Sequence, residues 1–270
     1  MNFEGDAGGE IFWQSWPAPG EARGVVVIAH GVSEHSDRYG HVAKRLNEAG
    51  YDVFALDHRG HGRSEGGRAN IVRISSAVAD IGTLIGIARE RSAAPKLFLL
   101  GHSMGGALAI EFALEREDEL DGLLLSAPAA ALEAASRFEL VAGRALSVIA
   151  PNLGVFPVDP TTVSRDPEVV RDYENDPLNY HRKLPARTVA ELAGAIETFP
   201  DRLPGMTLPL LVMVGTGDRL VPPDASRMVA ERAGSADKRL IEYDGLYHEI
   251  LNEPEQDRVM DDLVAWLDAH

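Results

Sequence analysis

Gly101-His102-Ser103-Met104-Gly105 places a serine midway between two glycines, with Gly106 following at once. A serine hydroxyl is a poor nucleophile near neutral pH and becomes a useful one only beside a base. Matches to this five-residue pattern arise by chance, so its setting carries the weight. Lys96–Leu100 reads as a strand and Gly106–Arg116 as a helix. That is the strand–turn–helix context in which a sharp turn strains the serine and exposes its hydroxyl. Residues two away on either side must then be small, because the strand and the helix approach closely there.

In this arrangement an acid follows the serine and a histidine follows the acid. The strand-like run Leu210–Val214 leads into Gly215-Thr216-Gly217-Asp218, which places Asp218 just past a carboxyl end. Catalytic groups of open α/β sheets collect at such ends. Asp224, Asp237 and Asp244 compete for the role from poorer positions. A further short strand, Arg239–Tyr243, precedes Gly245-Leu246-Tyr247-His248-Glu249, so His248 falls in a loop before the last helix. The other histidines lack that setting. His102 adjoins the serine and is expected to point away along the turn, and His30 closes a strand. His58 and His61 lie in a glycine-rich turn, His35 and His41 flank the first helix, His181 lies in the middle of the chain and His270 ends it. Ser103, Asp218 and His248 are therefore the expected nucleophile, orienting acid and base. A developing oxyanion needs preorganised donors. The backbone N–H groups of Met104 and of Val32, in His30-Gly31-Val32 after the first buried strand, are the candidates. Nucleophile, base, orienter and electrophilic stabiliser together specify acyl transfer, which requires no metal or organic cofactor.

The elements that must hold these residues show as short apolar runs: Val25–Ala29, Tyr51–Leu56, Leu97–Leu100, Gly122–Ser126 and Leu210–Val214. Such runs fit strands buried on both faces of a parallel sheet. Helical patterns lie between them, over Arg38–Ala49, Ile74–Arg91, Gly106–Arg116, Ala225–Ala233 and Pro254–Ala269, and Glu10–Trp16 suggests one or two antiparallel edge strands. The alternation predicts an α/β fold with a mostly parallel central sheet flanked by helices. Between about 129 and 204 the strand rhythm stops and prolines accumulate. This predicts core residues 1–128 and 205–270, with an all-helical cap at 129–204 inserted above the sheet's carboxyl edge.

Composition narrows the partners. The 270 residues contain no cysteine and carry a formal net charge of −16. Thiolate chemistry is excluded. A nucleic-acid partner is disfavoured by repulsion, and so is electrostatic adsorption to anionic lipid. The acidic N-terminus lacks a secretory pattern, and no run approaches a membrane span in length. The expected location is cytoplasmic, with peripheral membrane association as an accompaniment.

The segments AHGVSEHSDRYGHVAKRL, DHRGHGRSEG, GHSMGG, SRDPEVVRDYENDPL, GTGDRLVP and YHEILNEPE span Ala29–Glu255. Together they resemble the α/β-hydrolase superfamily and, within it, the monoacylglycerol lipase and lysophospholipase-like family, most particularly its actinobacterial lipases. The resemblance implies the α/β-hydrolase fold, with a helical cap over an acyl channel and a small polar pocket for glycerol. Glu34 and Arg38 match family positions that organise the polar end, a role compatible with a local ion pair. Tyr173 matches a cap tyrosine facing that end, with ordinary cap packing as the alternative. Ser33 replaces a glycine usual in relatives, and Leu251 a histidine that some relatives carry, so leaving-group binding by such a histidine is not transferred. The implied reaction is cleavage of monoacylglycerols to fatty acid and glycerol through an acyl-serine intermediate. Alternatives are a broader carboxylesterase or lysophospholipase, an acyltransferase, or a non-catalytic scaffold of the same fold. The apolar stretch Ala129–Ile149, with Leu132, Phe138, Leu140, Val141, Leu146, Val148 and Ile149, is expected either to touch a membrane or micelle surface or to pack on the core.

Overall fold

Apolar runs with no polar alternation can be strands only if both faces of the sheet are covered, and the computed structural model, which describes residues 1–131 and 145–270, shows how. Along the strand Gly24–Ala29, Val25, Val27 and Ala29 enter one core cluster while Val26 and Ile28 enter another. The same alternation repeats at Leu97 and Leu99 against Phe98 and Leu100, and at Leu210 and Val212 against Leu211 and Met213. Successive side chains of a strand leave on opposite faces. The runs are therefore the seam between two apolar layers.

Among the described residues, eight strands form one sheet in the order β1-β2-β4-β3-β5-β6-β9-β10. They are β1 Asn2–Glu4, β2 Glu10–Trp16, β3 Gly24–Ala29, β4 Tyr51–Leu56, β5 Leu97–His102, β6 Gly122–Ser126, β9 Leu210–Gly215 and β10 Lys238–Tyr243. From β4 to β10 every neighbouring pair is parallel. β2 joins β4 antiparallel and β1 joins β2 antiparallel, forming the edge. Helices α1 Gly40–Glu48, α2 Ile74–Arg91 and α3 Met104–Arg116 supply crossovers of the first half. After β9, α7 Pro223–Arg232 leads to β10, and α8 Gln256–Ala269 closes the chain with Val259, Leu263 and Trp266 buried. Parallel connection puts the carboxyl ends of these strands on one edge.

The segment between β6 and β9 corrects one expectation, because it is not all-helical. It holds α4 Pro167–Asn175, α5 Ala186–Ile196 and α6 Phe199–Arg202, but also a two-stranded antiparallel ladder, β7 Gly154–Phe156 against β8 Leu184–Pro185. Strands of three and two residues are too short to show a period. α4 begins where sequence chemistry directs it: the Asp166 carboxylate accepts from the Glu168 N–H, and Pro167 fills the first turn. Leu132, Phe138, Leu140 and Val141, named above for a surface role, lie outside the described residues.

This segment is tied to loops that follow strand carboxyl ends. The Tyr180 N–H donates to the Ser33 carbonyl, the Glu249 N–H to the Val163 carbonyl, and the Thr188 hydroxyl to the Ala69 carbonyl. The fully buried Glu253 carboxylate gathers the Arg165 N–H, the Arg165 Nε–H and the Tyr247 N–H at 2.8–3.0 Å. One acid thus joins the segment to the loop that carries His248. Truncating one partner of such a cluster leaves buried donors without acceptors. Glu253→Ala is expected to lower unfolding free energy by about 2–4 kcal/mol in urea titration, and Glu253→Gln by less.

Candidate active site

Ser103 occupies the single residue between β5 and α3, at φ 52° and ψ −117°. A non-glycine side chain at positive φ carries strain, so the surroundings must enforce it. Its N–H donates to the Ser126 carbonyl at 3.0 Å, while its own carbonyl accepts from Ala107 and Ala129. The neighbouring glycines are required by contact. A Cβ on Gly105 would stand 2.0 Å from the Ala29 carbonyl oxygen, and one on Gly101 2.5 Å from that of Gly105. α3 starts at Met104, not at Gly106 as the pattern suggested, so the helix amides begin directly after the serine.

Asp218 follows β9 and His248 follows β10. His248 Nδ1 lies 2.7 Å from Asp218 Oδ2. A carboxylate only accepts, so Nδ1 carries the proton and Nε2 keeps its lone pair. Asp218 Oδ1 is held in turn by the N–H groups of Leu220 and Val221 at 2.8 and 3.0 Å. Burial pulls the imidazolium pKa of His248 down, but the Asp218 carboxylate, with Glu249 and Glu34 beyond it, reverses this, and the net displacement is upward from 6.5.

Ser103 and His248 face the same cleft, which has a cavity volume of about 190 Å³ and opens to solvent. Val32 and Met104 line it too, and among the described residues neither backbone N–H donates to another protein group. Unpaired amides beside a buried serine suit an incoming oxyanion. An apolar wall of the cleft is formed by Leu184, Val189, Leu192 and Ile196 of β8 and α5, with Leu220 and Val221. A polar end is formed by Glu34, Tyr173 and Glu249, which meet at Arg38, and by His102 beside His248.

That polar end is built around Arg38. Its guanidinium reaches both Glu249 oxygens at 2.6 and 2.7 Å and Glu34 Oε2 at 2.7 Å, and it stacks on the Tyr173 ring at 4.9 Å. Glu34 Oε1 accepts from the Gly31 N–H and the Tyr39 hydroxyl, which steadies the loop carrying Val32. Burial opposes ionisation of Glu34, yet Arg38 and neighbouring imidazoles draw its pKa down to about 2. Arg38 is not among the residues facing the cleft, whereas Glu34, Glu249 and Tyr173 are. Burial pushes the Tyr173 phenol up. Ser33 sits at φ 70°, so serine here holds a backbone shape that glycine adopts freely.

Two residues of the site were not legible. His102 does not point away; its ring lies 4.8 Å from that of His248 and faces the cleft. Its Nδ1 donates to the Ser126 carbonyl at 3.0 Å, leaving Nε2 as an acceptor, and burial holds its pKa down at about 4. Glu249 gave no signal beyond following His248, because its partner Arg38 lies 211 residues away. Of the competing acids, Asp224 pairs with Arg227, Asp237 with His270, and Asp244 accepts from Thr216. The remaining histidines lie elsewhere: His30, His58 and His61 pack together, His35 pairs with Asp176, His41 contacts the Leu251 carbonyl and His181 the Asp176 carbonyl.

The profile of the family described as Serine aminopeptidase, S33 matches residues 20–255. A monoacylglycerol lipase of Mycolicibacterium smegmatis is 43% identical over 270 residues, covering 100% of this chain and 96% of that protein. A monoglyceride lipase of Homo sapiens is 35% identical over 90% of this chain and 81% of its own length. The crystal structure of the Paleococcus ferrophilus monoacylglycerol lipase superposes with a TM-score of 0.88 at 33% identity, covering 97% of this chain and 99% of that one.

Two outcomes test the site. A base whose pKa lies above 6.5 must lose its proton before it can work, so the acid limb of kcat/KM is expected above pH 6.5, with activity falling as pH drops through it. Asp218→Asn, which favours the wrong imidazole tautomer, is expected to cut kcat by about 10⁴-fold in a p-nitrophenyl ester assay without loss of folding.

Proposed function

The chain belongs to the serine aminopeptidase S33 family of the α/β-hydrolase superfamily, and from that premise we propose that it hydrolyses monoacylglycerols to fatty acid and glycerol. The observation that carries this reading is that the one cleft holding Ser103 is lined both by an apolar wall and by a polar group gathered round Arg38 and His248. An acyl chain suits the apolar wall. The polar end offers Glu34, Glu249 and the bare Nε2 of His102, all of them acceptors. A head group that brings hydroxyl donors and no charge matches it, and glycerol does so. The names of the relatives at 43% and 35% identity point the same way.

In this reading Ser103 attacks the ester carbonyl while His248 Nε2 takes its proton, and Asp218 stabilises the imidazolium. The amides of Val32 and Met104 receive the oxyanion. His248 then gives the proton to the departing glycerol oxygen. Water, deprotonated by the same imidazole, attacks the acyl-serine and releases the acid. Residues 129–204 act as a cap over the acyl end, and Glu34, Arg38 and Tyr173 shape the head-group end, with Arg38 acting through the two carboxylates it holds.

The cap also bears the means of approach to a lipid surface. Val148, Ile149, Leu153 and Phe156 are 69, 83, 51 and 50% exposed, and Phe156 lines the cleft. No helix among the described residues is long and apolar enough to cross a membrane. With the chain's net charge of −16, contact would rest on apolar insertion into uncharged lipid.

Three measurements check the reading. A fluorophosphonate is expected to label the wild type and to leave Ser103→Ala unlabelled. Across a panel of monoacylglycerols, lysophospholipids and simple esters of matched chain length, monoacylglycerols should rank first; a rank near the bottom overturns the substrate assignment. Replacing Val148, Ile149 and Leu153 together by serine should weaken binding to phosphatidylcholine vesicles by about tenfold or more, from the apolar area lost. Unchanged binding rejects the surface role.

A further inference from the structure

We propose that Glu249 is a specificity-determining residue whose carboxylate makes the polar end of the cleft refuse anions, including the acid that the reaction itself produces. The inference rests on the ester-hydrolase reading above and adds to it a reason why the product leaves.

Two carboxylates face the cleft at its polar end, Glu34 and Glu249, and both are almost fully buried. One guanidinium, that of Arg38, serves both. Among the described residues lining the cleft there is no lysine or arginine. The two imidazoles there supply no compensating charge at rest. His102 is neutral near pH 7, and any charge on His248 is matched by Asp218. The two carboxylates therefore exceed the one guanidinium by one negative charge, and it is the carboxylates, not Arg38, that line the cleft.

Glu34 and Glu249 differ in what else they do. Glu34 holds the Gly31 N–H and the Tyr39 hydroxyl, so it builds the loop that carries Val32. Glu249 touches Arg38 and the Asn252 amide. Its position directly after His248 sets its charge beside the reacting centre. The surplus charge belongs to the pair, and Glu249 is the member whose charge can be removed without touching the loop that carries Val32.

The chemistry gives that charge an effect. Water adds to the acyl-serine carbonyl, the bond from acyl carbon to Ser103 Oγ breaks, and Oγ regains a proton from His248. The released carboxylic acid gives its own proton to solvent and becomes a carboxylate within the cleft. An uncharged ester enters without electrostatic penalty, whereas this anion is repelled at short range inside a low-dielectric cleft. Head groups bearing phosphate are disfavoured for the same reason.

The test is competitive inhibition of p-nitrophenyl butyrate hydrolysis by laurate and by the equally long, uncharged dodecanol, below their aggregation limits. In the wild type laurate is expected to inhibit at least about tenfold more weakly than dodecanol. In Glu249→Gln, which keeps the side chain's shape, the laurate constant should tighten by about tenfold while the dodecanol constant moves less than about twofold. A purely structural ion pair would shift both constants together. Equal shifts, or no shift in a folded variant, overturn the proposal. Should Glu249→Gln fail to fold, the wild-type ratio decides alone, and laurate binding as tightly as dodecanol overturns it. Turnover of the p-nitrophenyl ester without turnover of monolaurin would instead defeat the substrate reading and leave this comparison intact.

Discussion

The site depends on a backbone conformation that a serine does not adopt willingly. At φ 52° the chain turns sharply enough for β5 to end and α3 to begin with one residue between them. Holding it there costs about 1–3 kcal/mol, which the fold must offset around it. The offset is visible on three sides. The Ser126 carbonyl on β6 fixes the Ser103 N–H, two amides fix its carbonyl, glycine at 101 lets β5 close on α3, and glycine at 105 lets α3 close on the end of β3. Because β3, β5 and β6 are consecutive parallel neighbours, those restraints come from the middle of the core, where movement is most resisted. The strain is therefore anchored where the structure is stiffest.

From this junction the electrostatics follow by position. His102 and His248 are both buried and their rings lie 4.8 Å apart, yet their pKa values move in opposite directions. Burial acts against the cation in both. His248 has a carboxylate at 2.7 Å to overcome it, whereas His102 donates to a neutral carbonyl and stays depressed. Two adjacent imidazoles are thus assigned different protonation roles by one hydrogen-bond partner each. The same logic distinguishes the acids. Asp218 is turned toward the base and fastened by two amides, while Glu34 and Glu249 are turned toward one guanidinium.

What the sequence disclosed follows what is local. The buried strands were legible because short, mostly β-branched runs such as Val25–Ala29 suit a strand that must satisfy both faces of a sheet at once. Ser103, Asp218 and His248 were legible because each sits one loop past a strand, a position that element order alone determines. The short ladder of β7 and β8 was hidden by its length, and β1, Asn2–Glu4, lies at an edge with little burial to pattern it. Glu249 and His102 were hidden for another reason. Their roles arise from Arg38 and Ser126, partners that only the closed sheet brings within reach. Residue type showed chemistry that each side chain could do alone. It did not show chemistry shared across the fold.

The chain's acidity, read from composition, argues against polyanionic partners; inside the cleft the same sign of charge acts at short range. A long-range field on an exposed surface is screened within about 8 Å at physiological salt, so the surface charge alone says little about ligand choice. Glu34 and Glu249 are shielded from that screening by burial, and their cation is shared between them. In the proposed reading, a surface that repels anionic lipid and a cleft that repels anionic head groups act in series on the same molecule. What passes both is apolar at one end and hydroxylated but uncharged at the other. Val148 and Ile149 are exposed apolar side chains on that same acidic molecule. In the proposed reading the ester bond is the group left beside Ser103, because the acyl half suits the apolar wall and the hydroxylated half the polar residues.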